Sequence, residues 1–327
     1  MNKIAILGVG SWALASAMLL NQNKKEITIW SYSEAVASEI NQTKTRKRLP
    51  GITLPENLIA STDMKAVISG VDLIIVCMPS QYLIETIKTL SKSVKNQPIL
   101  CLSKGLLDEP SPFISDYIKR LCPNSEYALM SGPNLADEII KQQPAAAVVS
   151  SHSLDLASRI QNCFSQDIFR VYTSQDVTGV EVAGVLKNVI AIAAGCSDAM
   201  DFGENTKAAL ITRGLHEIMR FGVHFGAQEQ TFFGLAGVGD LIATCASSKS
   251  RNYKLGYQLG KGIRFSDIEA DLKKTAEGIS TVKKLHNIVS KEDLSMPIAE
   301  KIYELISSDK KPHVILSELM NRKLKEE

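Results

Sequence analysis

Short apolar runs alternate with helical patterns along the first half of the chain. Continuous apolar runs cover residues 3–7, 27–30, 71–78, 99–102, 127–130 and 145–149, and a helical pattern covers residues 11–23. Strands that are apolar at every position are typical of parallel sheets with helices on both faces. The alternation therefore predicts an α/β fold with a doubly wound, mainly parallel sheet.

The pattern changes near residue 176, and helical periodicity dominates from there on. Helical patterns cover residues 180–199, 205–225, 252–260, 278–289 and 297–307. Pro297 and Pro312 stand where a first helical turn tolerates proline. At about 150 residues per domain, 327 residues suffice for two domains. We expect residues 1–176 to form the first domain and residues 177–327 an all-helical second domain.

Composition excludes several classes of protein. Hydrophobic residues make up 45% and charged residues 22%, which excludes a disordered chain or a coiled-coil rod. The net charge of +2 gives no reason to expect a nucleic-acid or membrane partner, and no uncharged apolar window of about 18 residues predicts an integral membrane segment. Six scattered cysteines without a CxxC pair indicate reduced thiols of a cytoplasmic protein and no metal site. The five histidines show no evident acid partner, so we interpret them as structural.

A glycine motif follows the first predicted strand. Gly8-Val9-Gly10-Ser11-Trp12-Ala13 has the form G-x-G-x-x-A and opens the first predicted helix. Gly8 permits the tight turn, and Gly10 lets the backbone approach a pyrophosphate at the helix N-terminus. A glycine turn without a ligand is the alternative, but the strand before the motif and the helix after it favour a Rossmann-type dinucleotide site.

The end of the second predicted strand bears on the choice of cofactor. NAD-selective sites usually carry an acid there, whereas this chain has Ser31-Tyr32-Ser33 and its first acid at Glu34. Hydroxyls would not repel a 2′-phosphate. NADP(H) is therefore favoured, with NAD(H) also tolerated. The basic run at residues 44–48 either lies near this phosphate or is a solvated loop.

Lys187 is the one lysine in an apolar stretch, VEVAGVLKNVIAIAAG. Its stem could simply extend along the helix to water. The small residues Ala183 and Gly184, over which it leans, leave room for a cavity instead. Apolar surroundings disfavour a charged lysine, which suits a general base, so both interpretations stay open on these residues.

Further polar residues follow predicted strands or precede predicted helices. Lys104 comes after the strand at residues 99–102, where ligands of open α/β sheets bind, although it could be an ordinary loop lysine. Asn134 follows the next strand and could instead cap a helix. A glycine-rich loop at residues 234–241 ends in Asp240-Leu241. Ser250-Arg251-Asn252 precedes a helical run, where it would form either an anion site or a plain N-cap.

Taken together, these segments resemble the NAD(P)-dependent glycerol-3-phosphate dehydrogenases, in particular the bacterial soluble biosynthetic type. The matching segments include GVGSWA, SGPNLADEI, EVAGVLKNV, GLAGVGDLIATC and SRNYKLGYQLGKG, and they run in order from Gly8 to Gly278. Two departures stand out. Ala13 replaces the usual third glycine, and Tyr32 and Ser33 stand where many members carry a basic residue.

The resemblance implies a role for each matching residue. Lys187 would be the proton acceptor. The substrate-binding residues would be Lys104, Asp240, Thr244, Ser250, Arg251 and Asn252. The cofactor-binding residues would be Gly8, Gly10, Ser11, Trp12, Tyr32, Ser33, Lys104, Gly132, Asn134, Ala136, Arg251 and Glu277.

The implied reaction interconverts dihydroxyacetone phosphate and sn-glycerol 3-phosphate by hydride transfer, for glycerophospholipid synthesis. The partner would be a small-molecule phosphate, no metal would be needed, and a homodimer would be compatible with the family. The alternatives are a β-hydroxyacid-type dehydrogenase, whose substrates bear a carboxylate, and a catalytically silent dinucleotide sensor.

Overall fold

The computed structural model describes residues 1–47, 49–108, 110–272, 277–308, 310–321 and 323. The chain forms two compact units. The first unit comprises Met1–Lys104 and Phe113–Glu181, and the second comprises Gly105–Pro112 and Val182–Glu327. The sequence-based boundary at residues 176/177 thus falls five residues before the break at Glu181, and the second unit also takes in a short earlier segment.

The first unit is built on one sheet, which has eight strands among the described residues. The strands are β1 (Lys3–Leu7), β2 (Glu26–Trp30), β3 (Ile59–Ser61), β4 (Leu73–Val76), β5 (Ile99–Cys101), β6 (Tyr127–Ser131), β7 (Ala145–Ser150) and β8 (Phe169–Ser174). Their order across the sheet is β3-β2-β1-β4-β5-β6-β7-β8. Neighbouring strands are parallel except for β6 and β7.

The strand order places a topological switch point beside the glycine motif. β1 pairs with β2 on one side and with β4 on the other, so successive crossovers leave β1 in opposite directions. In open α/β sheets, ligands bind at the carboxyl ends of strands next to such a point. The loop after β1 therefore lies where a dinucleotide is expected.

Helices on the sheet supply the rest of this unit's apolar core. They are α1 (Ser11–Gln22), α2 (Glu34–Thr43), α3 (Met64–Val67), α4 (Ser80–Ser91), α5 (Ile114–Leu121), α6 (Ala136–Ile140) and α7 (Leu154–Phe164). Local chemistry sets several starts. The side chains of Asp63 and Ser153 accept hydrogen bonds from backbone N–H groups at the starts of α3 and α7.

The second unit is helical throughout its described secondary structure. The helices from residue 177 onward are α8 (Val177–Ala199), α9 (Glu204–His224), α10 (Glu229–Phe232), α11 (Asp240–Ala246), α12 (Arg251–Gly260), α13 (Phe265–Leu272), α14 (Glu277–Lys291), α15 (Pro297–Ser307) and α16 (Pro312–Met320). The break between the two units falls inside α8. The expected α/β fold followed by helices is confirmed.

The glycine-rich segment at residues 234–241 is not the loop that we predicted. Leu235–Gly239 forms a π-helical turn that leads directly into α11. A Cβ at Gly237 would stand 2.0 Å from the carbonyl oxygen of Phe232, so only glycine allows the backbone to come this close. Gly237 thus serves close packing within a helical element.

One described helix, Val177–Ala199, is long and apolar enough to cross a membrane. The pair Glu229–Ala246 and Arg251–Gly260, bent by 51°, passes the same test only when counted as one span. Of the apolar window in α8, 94% is buried inside the protein, as in a core helix. The sequence-based expectation concerned uncharged windows, and α8 does not contain one, because Glu181, Lys187 and Asp198 interrupt it.

Candidate active site

The loop after β1 has the geometry that a dinucleotide site requires. Gly8 has φ +132°, and a Cβ there would lie 2.0 Å from the carbonyl oxygen of Cys77. Gly10 precedes the first residue of α1, and the space around its hypothetical Cβ is open to 4 Å. A phosphate can therefore approach the free N–H groups of α1, beginning with Ser11. The neighbouring Trp12 packs against Phe169 with ring centroids 6.4 Å apart.

The end of β2 leads into α2 through Ser31, Tyr32 and Ser33. The Ser31 hydroxyl is buried; it donates to the Ser33 carbonyl at 3.0 Å and accepts from the Ser33 N–H at 3.1 Å. Tyr32 is 91% exposed, and Ser33 precedes α2. Glu34 accepts a hydrogen bond from the Thr62 hydroxyl at 2.7 Å. The residues at this strand end thus carry hydroxyl groups rather than a carboxylate, and the first acid, Glu34, is bonded to Thr62, the residue after β3.

Two further loops of the first unit carry predicted residues. Lys104 follows β5 and is half-buried, while Gly132 follows β6 with φ +148°. Asn134 does not cap the next helix: α6 begins at Ala136 with Leu135 as its N-cap. The alternative interpretation of Asn134 as an N-cap is therefore wrong by one residue, and its side chain is half-buried.

The second unit contains a buried ion pair at the positions where we expected chemistry. Lys187 in α8 donates from Nζ to Oδ1 of Asp240, the first residue of α11. The two side chains are 9% and 3% exposed. Thr244, one turn later, donates to the Asp240 carbonyl at 2.6 Å and lies 3.4 Å from Oδ1. Lys187 is thus a buried, partnered ammonium rather than a stem that extends to water.

Glycines bring α12 directly onto α8. A Cβ at Gly195 would lie 2.0 Å from the carbonyl oxygen of Tyr253, and one at Gly256 would lie 1.8 Å from that of Ile192. This close approach fixes the start of α12, where Ser250 is the N-cap and accepts from the Tyr253 N–H at 3.3 Å. Within the Ser250-Arg251-Asn252 segment, Ser250 is therefore the N-cap.

Two predicted residues in the first turn of α12, Arg251 and Asn252, differ in their exposure to solvent. Arg251 is exposed, so its guanidinium is accessible to an anion at the helix N-terminus. Asn252 is buried, and its Oδ1 accepts from the Gly278 N–H at 3.2 Å. Glu277 begins α14 beside that glycine. Ser250, Arg251 and Asn252 are thus brought together in one helical turn, with Glu277 next to the partner of Asn252.

Some polar groups escaped the sequence analysis. Asn188, beside Lys187, is 7% exposed. Glu181 is buried in the first unit and accepts from the Ile114 N–H at 2.7 Å, and burial raises its pKa to about 7. Burial also raises the pKa of Cys245 to about 12, so this thiol next to Thr244 is not a nucleophile. The sequence could have indicated Asn188 and Glu181. They are the only polar residues besides Lys187 in the apolar stretch at residues 180–195.

Other side chains of the second unit lie apart from the predicted residues. His224 Nε2 lies 3.1 Å from the Glu292 carboxylate, which corrects the expectation that the histidines lack acid partners; this pair is partly exposed. A cavity of about 300 Å³ is lined by residues such as Arg264, Phe265 and Lys311. It includes none of the predicted site residues. Within the described ranges, no group of three or more His, Cys, Asp or Glu side chains could hold a metal ion.

Comparison with known proteins identifies the family. Residues 3–157 match the model of the NAD-dependent glycerol-3-phosphate dehydrogenase N-terminus, and residues 176–317 match that of its C-terminus. The chain is 38% identical to a glycerol-3-phosphate dehydrogenase [NAD(P)+] of Oceanobacillus iheyensis, with 100% of this chain and 96% of the relative covered. It is 39% identical to that of Leptospira biflexa, with 99% of each covered.

A solved structure agrees with both matches. The crystal structure of glycerol-3-phosphate dehydrogenase from Coxiella burnetii superposes with a TM-score of 0.94 at 33% identity. The superposition covers 98% of this chain and 99% of the Coxiella burnetii chain. The resemblance drawn from the sequence motifs is thereby confirmed, and the chain belongs to the NAD-dependent glycerol-3-phosphate dehydrogenase family.

Proposed function

We propose that this protein interconverts dihydroxyacetone phosphate and sn-glycerol 3-phosphate with a nicotinamide dinucleotide. The observation that carries the proposal is the buried Lys187–Asp240 pair, which holds a proton-bearing group at the position that the family resemblance assigns to the proton acceptor. Family membership over nearly the whole chain supports the same activity.

Lys187 is the proposed acid and base. Its Nζ gives a proton to the C2 oxygen of the substrate during reduction and takes it back during oxidation. Asp240 accepts a hydrogen bond from that Nζ, which keeps the ammonium in one orientation and compensates its charge in a buried site. Thr244, bonded to the Asp240 carbonyl, steadies the first turn of α11. Lys104 would contact the substrate, as the family resemblance implies.

The substrate phosphate is proposed to bind at the start of α12. The free N–H groups, the helix dipole and the exposed Arg251 guanidinium together favour a dianion. Asn252 would add a polar contact while its Oδ1 holds the Gly278 N–H. This recognition distinguishes a phosphorylated substrate from one that carries a carboxylate at a different distance from the reacting carbon.

The cofactor would be held by the loops at the carboxyl ends of β1, β2 and β6. The open space at Gly10 and the close turn at Gly8 support the binding of a dinucleotide at the loop after β1. The family resemblance implies further cofactor contacts. The residues in this set are Ser11, Trp12, Tyr32, Ser33, Gly132, Asn134, Ala136, Arg251 and Glu277. When bound, the cofactor supplies the hydride. Ser31, Tyr32 and Ser33 at the end of β2 carry no carboxylate that would repel a 2′-phosphate, which supports a preference for NADP(H), with NAD(H) also accepted.

A spectrophotometric assay at about 340 nm tests the function. Dihydroxyacetone phosphate is offered in parallel with NADPH and with NADH, and a matched 3-oxo carboxylic acid is offered with each. Oxidation of NADPH that depends on dihydroxyacetone phosphate is expected. Turnover of the carboxylic acid alone would support the β-hydroxyacid alternative, and binding of NADPH without turnover of either substrate would indicate the silent sensor.

The setting in the cell forms part of the proposal. All six cysteines are buried thiols, which supports a cytoplasmic protein. The product would supply glycerophospholipid synthesis, as the family resemblance implies. A homodimer is the assembly to test, by light scattering of the purified protein.

A further inference from the structure

One carboxylate at the end of α8 connects three helices of the second unit. Asp198 Oδ2 accepts from Lys207 Nζ of α9 at 2.6 Å and from Tyr253 Oη of α12 at 2.5 Å. Lys207 Nζ also lies 5.8 Å from the centroid of the Tyr253 ring. The side chains of Lys207 and Asp198 are 18% and 21% exposed, so these contacts are largely shielded from water. The cluster of Asp198, Lys207 and Tyr253 is called the α8-end triad below.

Tyr253 is the residue after Asn252 in the first turn of α12. Its N–H donates to the N-cap hydroxyl of Ser250, and its carbonyl oxygen lies against Gly195 of α8. Its phenol is bonded to Asp198. Burial and the Asp198 carboxylate raise the pKa of Tyr253 to about 12, so the phenol remains a protonated donor at neutral pH. Both the backbone and the side chain of this residue are therefore held by α8.

We propose that the α8-end triad positions the first turn of α12 so that Arg251 and Asn252 bind the substrate phosphate. The inference rests on the proposed function and assigns new positioning residues to it. None of the three side chains needs to touch the substrate. Their role is to prevent the turn from shifting, because hydrogen bonds to a phosphate weaken steeply when donors move out of line.

The proposal predicts which kinetic constant changes. Lys187 lies eleven residues before Asp198 on α8, which is roughly 16 Å along the helix at 1.5 Å per residue. The bonds of the triad and the Lys187–Asp240 bond share no residue, so loosening the start of α12 does not itself break that pair. The loss is expected in the KM for dihydroxyacetone phosphate rather than in kcat.

The central variant is Tyr253→Phe, which removes one hydroxyl and keeps the ring. We expect the KM for dihydroxyacetone phosphate to rise by roughly twofold to twelvefold, which corresponds to one typical hydrogen bond of about 0.5–1.5 kcal/mol. The kcat should stay within about twofold of wild type. Tyr257→Phe is the matched control, because Tyr257 lies one turn later on α12, is 40% exposed and stacks on Tyr253.

Asp198→Ala and the double variant test whether the residues act together. The double variant should show a KM rise no greater than the larger single one, because both substitutions break the same bond. Additive rises would mean that Tyr253 and Asp198 act independently and would overturn the triad. A fall in kcat with unchanged KM, or equal effects of Tyr253→Phe and Tyr257→Phe, would overturn it as well.

A binding measurement separates this inference from the proposed activity. Inorganic phosphate, added with saturating NADPH, should raise the Tm of wild type and Tyr257→Phe more than that of Tyr253→Phe. Wild-type protein that binds phosphate in this way but does not turn over dihydroxyacetone phosphate would refute the activity and keep the positioning role. An active wild type whose phosphate-dependent Tm shift and KM are unchanged in Tyr253→Phe would refute the positioning role alone.

Discussion

The substitution Lys187→Met separates catalysis from stability at the buried ion pair. It removes the proton-bearing Nζ and leaves the Asp240 carboxylate buried without its cation. Loss of a general acid and base should lower kcat by roughly 10²–10⁴-fold. Breaking a buried pair typically lowers the free energy of unfolding by about 3–5 kcal/mol, and the Thr244 hydroxyl near Asp240 favours the lower end.

The double variant Lys187→Met/Asp240→Asn supplies the internal comparison. Removing both charges eliminates the uncompensated carboxylate, so stability should recover by about 1–2 kcal/mol relative to Lys187→Met. Activity should not recover, because the proton-bearing group is still missing. Urea unfolding measures the first quantity, and the assay at about 340 nm with saturating NADPH measures the second.

Lys284→Met is the matched control for loss of a lysine from an ion pair in the same unit. Lys284 Nζ lies 3.0 Å from Asp108, whose side chain is 77% exposed. Its loss should change stability by less than about 1 kcal/mol and kcat by less than about twofold. If Lys187→Met retained more than about a tenth of wild-type turnover, Lys187 would not be the acid and base.

Substitutions at three further residues test other parts of the structure. Arg251→Ala should lower kcat/KM for dihydroxyacetone phosphate by roughly 30-fold or more, and Arg251→Lys should restore only part of it; equal losses with unphosphorylated dihydroxyacetone would refute phosphate binding. Tyr32→Asp, at an exposed site, should shift the kcat/KM preference from NADPH towards NADH, whereas a wild type that prefers NADH tenfold would contradict the interpretation of this strand end. Burial raises the pKa of Glu217 from 4.5 to about 7, so its stabilising contribution is full below pH 4.5 and is lost as pH rises through about 7. In Glu217→Gln, the free energy of unfolding measured with urea should therefore depend less on pH between about 4.5 and 7. An unchanged pH dependence would contradict the raised pKa of Glu217.

The sheet shows which strands a sequence reveals. The six predicted runs correspond to strands because central strands are apolar at every position, as in β4, where all four residues are buried. β8 was missed because Phe169 and Val171 are buried while Arg170 and Tyr172 face solvent, as an edge strand requires. β3 has only three residues. The antiparallel pairing of β6 and β7 could not be predicted from the hydrophobic pattern either, because apolar content does not encode strand direction.

The active-site residues could be named from the sequence, but their contacts could not. A lone lysine in an apolar helix signalled Lys187, and the family resemblance pointed to Asp240. The two residues are 53 positions apart, and only the packed fold shows that they pair. Tyr253 and Asp198 gave no signal, because a tyrosine and an aspartate 55 positions apart fit an exposed helix face equally well.

The burial of α8 on every side explains both its membrane-like composition and its role in the proposed site. An all-round apolar helix cannot show the one-sided periodicity of a surface helix, and its burial on every side gives it the composition of a membrane span. Burial also makes each polar group on it costly unless it is partnered. Lys187 is paired with Asp240, and Asp198 binds Lys207 and Tyr253. The few polar residues that interrupt the apolar run are therefore fixed in position by their partners, and one rigid helix sets the position of both the proposed proton donor and the proposed phosphate-binding turn.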